Sequence, residues 1–576
     1  MADSKPSPVE IAKIESNYLR GTIPGELLDG EAFFSKDNTQ LLKHHGTYQQ
    51  DDRDARAASR ASGGKKSDKE FIFMVRTRVP GGRLSSAQLL AELDLCDELG
   101  NTTLRITSRQ ALQLHGIAKE HLWETIHRIN QVQLTTLAAC GDVERNIMCC
   151  PAPRRASKVQ QQLEEITDRL TDHLAPRTRA YHEIWVKDPE TGDSQLVAGG
   201  PPDHEPIYGP TYLPRKFKTA IALASDNCVD IYTQDLGFLA ITEGDEIIGF
   251  NVLAGGGQGT TPSNANTFPA LAQRLTFVRP DDVLAVAEAI IKVQRDFGNR
   301  SDRKRARMKY LIHDWGLEKF KAKVEEYFGR PLPEPHPADV HGFDDHIGWH
   351  EQGDGRWFYG LNVENGRIHD VDNLRLKTAL REICTQLAPP LRLTSHQSIL
   401  FCDIAAADRD TLTGILREHG VTLSEDISEA RRWSMACVAW PTCGLAITES
   451  ERALPGMIDQ LEGELARLGL SAEQFTIRMT GCPNGCARPY NCDVGLVGRT
   501  AGKYTVFLGG RLLGNRLNEI YKDQVPAEEV VSTLVPVFAY FKQARQPGET
   551  FGDFCHRQGM AELAAWSERN AAATAG

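Results

Sequence analysis

Four cysteines carry the sharpest chemical signal in the 576-residue chain: Cys437-x5-Cys443, then, 38 residues on, Cys482-x3-Cys486. The second pair lies in TGCPNGCARP, where Pro483 and Gly485 force a tight loop whose backbone amides can turn toward sulfur. Such amides stabilise thiolates and tune the potential of an iron–sulfur cluster, and four thiolates from two loops suit a cubane. Zinc also takes four cysteines, but its short C-x2-C knuckles match x5 and x3 poorly. Ordinary buried cysteines at strand ends are the third reading. Cys492, six residues past Cys486, competes as a ligand from outside the Gly-Pro loop. The count of thirteen is odd and the N-terminus carries no export signal, so metal or redox use is expected over a disulfide framework. Cys96, Cys228, Cys384 and Cys402 sit among apolar neighbours, where a thiol is expected to be an inert small hydrophobe.

The second signal is local positive charge in an acidic protein. Net charge is −11, which argues against nucleic-acid binding. Yet Arg295–Lys309 holds seven cations against two anions, and Arg215, Lys216 and Lys218 form another group. Such islands suit a compact polyanion, unless they are solvated helix faces. No apolar run reaches the ~18 residues of a membrane span, so a cytoplasmic protein is expected. Gly255–Gly259 (GGGQG) lacks the GxGxxG pattern and a βαβ context, so no nicotinamide or flavin site emerges. A redox centre without such a domain takes its electrons from a partner protein.

These residues need elements to hold them. From Arg105 to His115 polar and apolar positions alternate, which predicts a strand with one basic face; Ile72, Met74, Arg76 and Arg78 repeat the pattern. Strands are expected at Phe475–Thr480, Asp493–Gly498 and Tyr504–Leu508. Helices are expected at Val283–Val293, at Val530–Phe541 and through Ile458, Leu461, Leu465 and Leu468, the last closed by Gly469. The chain also repeats itself. Leu104–Gln110 (LRITSRQ) returns as Leu391–Gln397 (LRLTSHQ), 287 residues on. NVLAGGG at 251–257 returns as TVFLGGR at 505–511, and Cys140 follows the first copy as Cys437 follows the second. A duplicated unit is expected to form its site between the halves, with the Pro/Gly-rich stretch 330–345 linking them.

With these motifs together, TGCPNGC, the C-x5-C pair, YLPRKFKT at 212–219, GNRSDRKRARMKY at 298–310 and TSRQALQLHG at 107–116, the chain resembles the siroheme/[4Fe-4S] nitrite and sulfite reductase family. LRGTIPGELL and HGTYQQDDRD look like its bacterial assimilatory, NADPH-linked hemoproteins. The resemblance implies that Cys437, Cys443, Cys482 and Cys486 bind a [4Fe-4S] cluster and that Cys486 also ligates siroheme iron. It makes Arg76, Arg145, Lys216 and Lys218 the cations that hold sulfite and deliver protons. It places Arg105, Arg109, Arg215 and Arg307 near the siroheme carboxylates, with Gln113, His115 and Asn484 in the cofactor pocket; Arg307 stands where a relative has Lys.

The implied fold is α+β and internally duplicated: an N-terminal arm (1–68), ferredoxin-like half-domains at 69–138 and 345–425 related by a pseudo-twofold, a first siroheme/substrate α/β domain (139–335) and a cluster-bearing α/β domain (426–576). Within the arm, residues 49–68 are expected to be extended or mobile and a candidate docking segment. The implied function is six-electron reduction of sulfite to sulfide in cysteine biosynthesis. Electrons would come from an NADPH-oxidising FAD/FMN flavoprotein alpha subunit in a hetero-oligomer, with no nucleic acid or membrane involved. The alternatives are ferredoxin-dependent reduction of sulfite or nitrite, and a zinc-stabilised noncatalytic binding protein.

Overall fold

Two sheets, each completed by a strand from the other half, form the centre of the structure, a computed structural model that describes residues 5–63, 69–178, 184–189, 191–198, 205–261 and 264–574. The first orders Thr47–Asp51, Phe71–Thr77, Leu112–Ile117 and Leu104–Ile106, and ends on Arg367–Ile368 from the second half. The second orders Gly348–Glu351, Trp357–Leu361, Ile399–Ile404 and Leu391–Leu393, and ends on Arg83–Leu84 from the first. Arg367 pairs with Arg105, and Arg83 with Arg392. The exchange depends on two glycines just ahead of the donated strands. A Cβ on Gly82 would stand 2.3 Å from the Leu393 carbonyl oxygen, and one on Gly366 would stand 2.2 Å from that of Ile106; both have φ in the left-handed region, at 73° and 76°. One apolar core runs through both half-domains, from Phe73 and Leu104 to Leu391 and Phe401. Helix Ser86–Glu98 covers the first sheet and starts from a capping box between Ser85 and Gln88.

Each half then adds an α/β portion of like topology. In the first, Thr219–Leu223, Leu236–Glu243, Glu246–Ala254 and Gln273–Val278 are successive neighbours, and Met148 bridges the outer edge in parallel with Ala220. The second runs Ser434–Ala436, Ile477–Thr480, Val494–Thr500, Lys503–Leu508 and Glu519–Pro526. Helices Val283–Phe297 and Val530–Ala544 follow the two sheets, each buried on an apolar face; Leu454–Leu468 ends at Gly469, with φ 67°. Gly255 and Gly509, in the repeated Gly-rich strand ends, have φ 92° and 91°. Residues 330–347 carry no helix or strand and connect the halves. No helix among the described residues is long and apolar enough to cross a membrane.

Three expectations change. Arg105–His115 is a hairpin, Leu104–Ile106 and Leu112–Ile117, because Gln110 takes φ 52° and reverses the chain. Residues 49–63 do not form a loose arm: they begin extended, in the edge strand Thr47–Asp51, and continue as the helix Arg53–Ala61, capped by Asp52. Residues 1–4 and 64–68 of the expected arm lie outside the described residues. The mate of Cys437 is Cys150 rather than Cys140, since 437 minus 150 is the 287-residue offset of the repeat. The contacts agree: Gln110 Nε2 donates to the carbonyl of Cys149 (2.8 Å), as Gln397 Nε2 does to that of Ala436 (3.0 Å).

Candidate active site

The four cysteines converge from two loops. Ser434–Ala436 ends just before Cys437, and its parallel neighbour Ile477–Thr480 runs straight into the Cys482–Cys486 turn. Gly481 N donates to Cys437 Sγ (3.4 Å) and Asn484 Nδ2 to Cys482 Sγ (3.3 Å). Burial first, and then the neighbouring cysteines, push the Cys437 thiol up to about 12 and those of Cys443 and Cys482 to about 11. Thiols that raise one another in this way release their protons together once a cation joins them. Helix Arg53–Ala61 clamps the Cys443 loop, with Arg53 donating to the carbonyls of Ala446 (2.7 Å) and Gly444 (2.9 Å). Cys492 is buried with its thiol directed at the carbonyls of Pro489 and Val494.

Cys486, exposed, opens onto a narrow void lined also by Ser108, Arg109, Lys216, Lys218, Arg307 and Asn484. A wider surface hollow around Lys542 and Arg545 is lined by none of these. Among the described residues no carboxylate pairs with Lys216 or Lys218. Burial, then Arg215 and Arg145, bring Lys216 down to about 7; burial and then Lys216 itself hold Lys218 well below its ordinary range. Two ammonium groups kept so close lack a counter-anion, and an anionic ligand in the void would supply it.

The remaining basic residues divide by what already occupies them. Arg109, brought down to about 9 by burial, donates to Gln234 Oε1 (2.7 Å) while its Nε has no partner among the described residues. Both ring nitrogens of buried His115 are equally unpartnered, and burial, then Arg367 and Arg105, keeps the ring neutral. Arg76 donates to Cys140 Sγ (2.8 Å) and stands across the sheet from Gln113. Arg145 is buried against the Gly141 carbonyl (3.1 Å). Arg215 reaches no nearer than 4.0 Å to Asp142. Arg105 and Arg307 are also held by partners within the fold, Arg307 while it lines the void. Arg105 binds Glu451 (2.7 Å) and the Ala436 carbonyl (2.9 Å), so it braces the Cys437 strand, and Arg307 forms a bidentate pair with Asp235 (2.9 and 2.7 Å).

The Arg295–Lys309 island is largely neutralised from within the fold. Arg295 meets Asp296, Arg300 meets Glu10, Arg303 meets Asp142 and Arg305 meets Asp314. Lys309 instead holds the Gly257 and Gly259 carbonyls (3.0 and 2.8 Å), which seats the GGGQG loop against the void. A Cβ on Gly259 would meet the Asn484 carbonyl at 3.1 Å, so this loop is a close cradle and not a dinucleotide loop.

Sequence reasoning passed over Arg488. It is buried against Asp230 and donates to the Ser108 and Ser395 carbonyls (3.0 Å each), joining the turns of both repeats beneath Cys486. Its place two residues past Cys486 in CARP was the available signal. Cys228 is likewise no bland hydrophobe: it lies in a buried group with Cys150, Asp226 and His346.

Unpartnered nitrogens on Arg109 and His115, unpaired lysines and a glycine cradle suit a polycarboxylate macrocycle, and four convergent cysteines suit a cubane. Comparison with known proteins agrees. The chain matches the nitrite and sulphite reductase 4Fe-4S domain over residues 140–332 and 428–573, and the nitrite/sulfite reductase ferredoxin-like half domain over 65–132 and 350–419. It is 44% identical to a sulfite reductase (ferredoxin) of Synechococcus elongatus, over 98% of this chain and 92% of that one. It is also 44% identical to a sulfite reductase (NADPH) hemoprotein beta-component of Myxococcus xanthus, over 96% of each, and 43% identical to that of Bacillus subtilis, over 97% of this chain and 96% of that one. The solved structure of Mycobacterium tuberculosis NirA superposes with a TM-score of 0.77 at 25% identity, covering 97% of this chain and 98% of that one. The chain therefore belongs to the nitrite and sulfite reductase family, whose duplicated fold holds siroheme beside a [4Fe-4S] cluster.

Proposed function

We propose that the protein reduces sulfite to hydrogen sulfide, taking up six electrons and eight protons per sulfite dianion and releasing three waters, in the service of cysteine biosynthesis. The observation that carries this reading is the pair of lysines, Lys216 and Lys218, facing Cys486 across the void without a carboxylate of their own. Cys437, Cys443, Cys482 and Cys486 would hold the cluster, Cys486 would also hold the siroheme, and Arg109, Arg215, His115, Gln113 and Asn484 would border the macrocycle. Siroheme and cluster, when bound, would relay electrons from the donor to sulfur.

The chain's own residues manage charge and protons. Fixed cations at the void attract a small oxyanion and orient its oxygens, at no cost in reorganisation during the reaction. Lys216, at about 7, exchanges a proton near neutrality, which suits a donor that must be recharged as oxygens leave as water. Arg145, whose charge acts on both lysines, and Arg76, beside Cys140, would add positive charge for the oxyanion. Arg105 and Arg307 support this geometry through Glu451 and Asp235 without spending their charge on the ligand.

The electron source is an NADPH-oxidising flavoprotein partner carrying FAD and FMN, the reading favoured by the NADPH-linked names of the Myxococcus and Bacillus relatives. Reduced ferredoxin is the second reading, favoured by the Synechococcus relative. Two rate comparisons test the proposal. With a common artificial donor, kcat/KM for sulfite should exceed that for nitrite; the reverse order overturns the substrate. At saturating sulfite, the flavoprotein should sustain turnover better than ferredoxin; the reverse overturns the donor.

A further inference from the structure

The cluster site has a counterpart on the other side of the pseudo-twofold. Cys150 lies one repeat offset from Cys437, and the Gln110 and Gln397 contacts place their preceding residues in equivalent positions. The second relation involves Cys486. Ser108 Oγ donates to the Cys486 carbonyl at 2.9 Å, and its repeat mate Ser395 donates to the carbonyl of Cys228. Two of the four cluster cysteines thus have mates, and those mates meet.

At that counterpart, Cys150 Sγ lies 2.9 Å from Asp226 Oδ2 and 3.6 Å from His346 Nε2, while His346 Nε2 lies 3.2 Å from Asp226 Oδ2. With Cys228, the four ligand atoms all fall within 4.8 Å of one another, and all four residues are buried. Tetrahedral zinc with bonds of about 2.0–2.3 Å spaces its ligands about 3.3–3.8 Å apart, so these atoms need only slight adjustment. The surroundings are those of a metal-bound imidazole and carboxylate. His346 Nδ1 faces Asp344 Oδ2 at 3.4 Å, and Asp226 Oδ1 is held by the backbone N–H of Cys228 (3.1 Å) and of Asp344 (3.3 Å).

We propose that Cys150, Asp226, Cys228 and His346 bind one zinc ion where the duplication places the mate of the iron–sulfur cluster. Two thiolates are too few for a cubane, whereas two sulfurs, one imidazole and one carboxylate complete a closed tetrahedral zinc shell. Binding releases the two thiol protons and leaves no open position, so the ion is structural. It fastens the connector between the halves, through His346, to the Met148 edge and the Asp226 loop of the first α/β portion. Backbone bonds already run the same way, from His341 N to the Ala224 carbonyl (2.8 Å) and from Asn227 N to the Gly342 carbonyl (3.0 Å).

The test is metal analysis and zinc K-edge absorption on the full-length holoprotein, which siroheme and cluster iron do not obscure. The expected result is about one zinc per chain that survives chelator dialysis, with two sulfurs at about 2.3 Å and two nitrogen or oxygen neighbours at about 2.0–2.1 Å. Cys228→Ala and His346→Ala should each lose the zinc while keeping the siroheme absorbance, and Cys402→Ala should keep both. Should the variants misfold, the wild-type shell decides alone. Zinc at background in the wild type after exposure to zinc salt overturns the proposal. So does a shell without sulfur, or a thiol count showing Cys150 joined to Cys228.

Discussion

The turns Thr107–Gln110 and Thr394–Gln397 are built alike and surrounded differently. In each the fourth residue has a left-handed φ (52° and 66°), its N–H donates to the first carbonyl at 3.2 Å, and its side chain caps a chain passing beneath. The third residue separates them. Arg109 borders the void, whereas His396 is half-buried against Phe343, and desolvation, then Arg488 and Arg478, keeps it neutral. Arg488 binds both turns, so one guanidinium serves two environments. The lesson is that duplication supplied the scaffold twice, while the chemistry separated through few side chains: Cys486 with unpaired lysines on one side, and Cys228 with a histidine and an aspartate on the other.

That contrast can be broken most directly at the mated cysteines. Cys486→Ser should lose siroheme absorbance and drop sulfite turnover to background, whereas Cys228→Ser should keep the siroheme and retain turnover well above that background. Equal losses in optical spectra and assays would erase the distinction. Lys216→Met should come next, lowering turnover about a hundredfold at unchanged siroheme content. A parallel fall in siroheme content would move this residue from the substrate to the cofactor.

How far was this legible in the residues themselves? The four-cysteine motif, the duplication and the long helices were, because spacing, repeats and periodicity are read directly along the chain; the role of Lys216 and Lys218 came only with the family resemblance. The exchanged strands at 83–84 and 367–368 were not; two residues carry no periodicity, and only the crowding at Gly82 and Gly366 explains them. Nor was the partition of the arginines, since whether Arg307 faces a ligand or Asp235 depends on a residue 72 positions away. The helix at 53–61 was missed because its polar composition hides that Arg53 fastens it to the Cys443 loop. His346 gave no motif, being separated from Cys150 by 196 residues.

Smaller effects sharpen the comparison. Each repeat strand sends an arginine to a glutamate of the opposite α/β portion: Arg105 to Glu451 (2.7 Å) and Arg392 to Glu164 (2.6 Å). Removing one partner of such a pair costs about 3 kcal/mol, so Arg392→Met should lower the unfolding temperature by about 2–3 °C in calorimetry, and Arg105→Met by less, because Arg367 still holds Glu451 (2.6 Å). Arg105→Met alone should also loosen the cluster, because its guanidinium holds the carbonyl before Cys437.

The smallest effect is in pH. Lys216 sits at about 7, so it is charged below that value and neutral above it. Sulfate keeps a constant charge across this range, and its competitive inhibition should weaken several-fold between pH 6 and 8.5. In Lys216→Met the profile should change, with Lys218, freed of its neighbour's charge, raised toward its ordinary range.

The central claim is that Cys486, and not its mate, stands where cluster and siroheme meet. Low-temperature Mössbauer spectroscopy of the oxidised wild-type holoprotein tests it most directly. A shared sulfur predicts cluster lines split magnetically by the siroheme iron. A plain diamagnetic cluster spectrum beside an independent siroheme spectrum would contradict it.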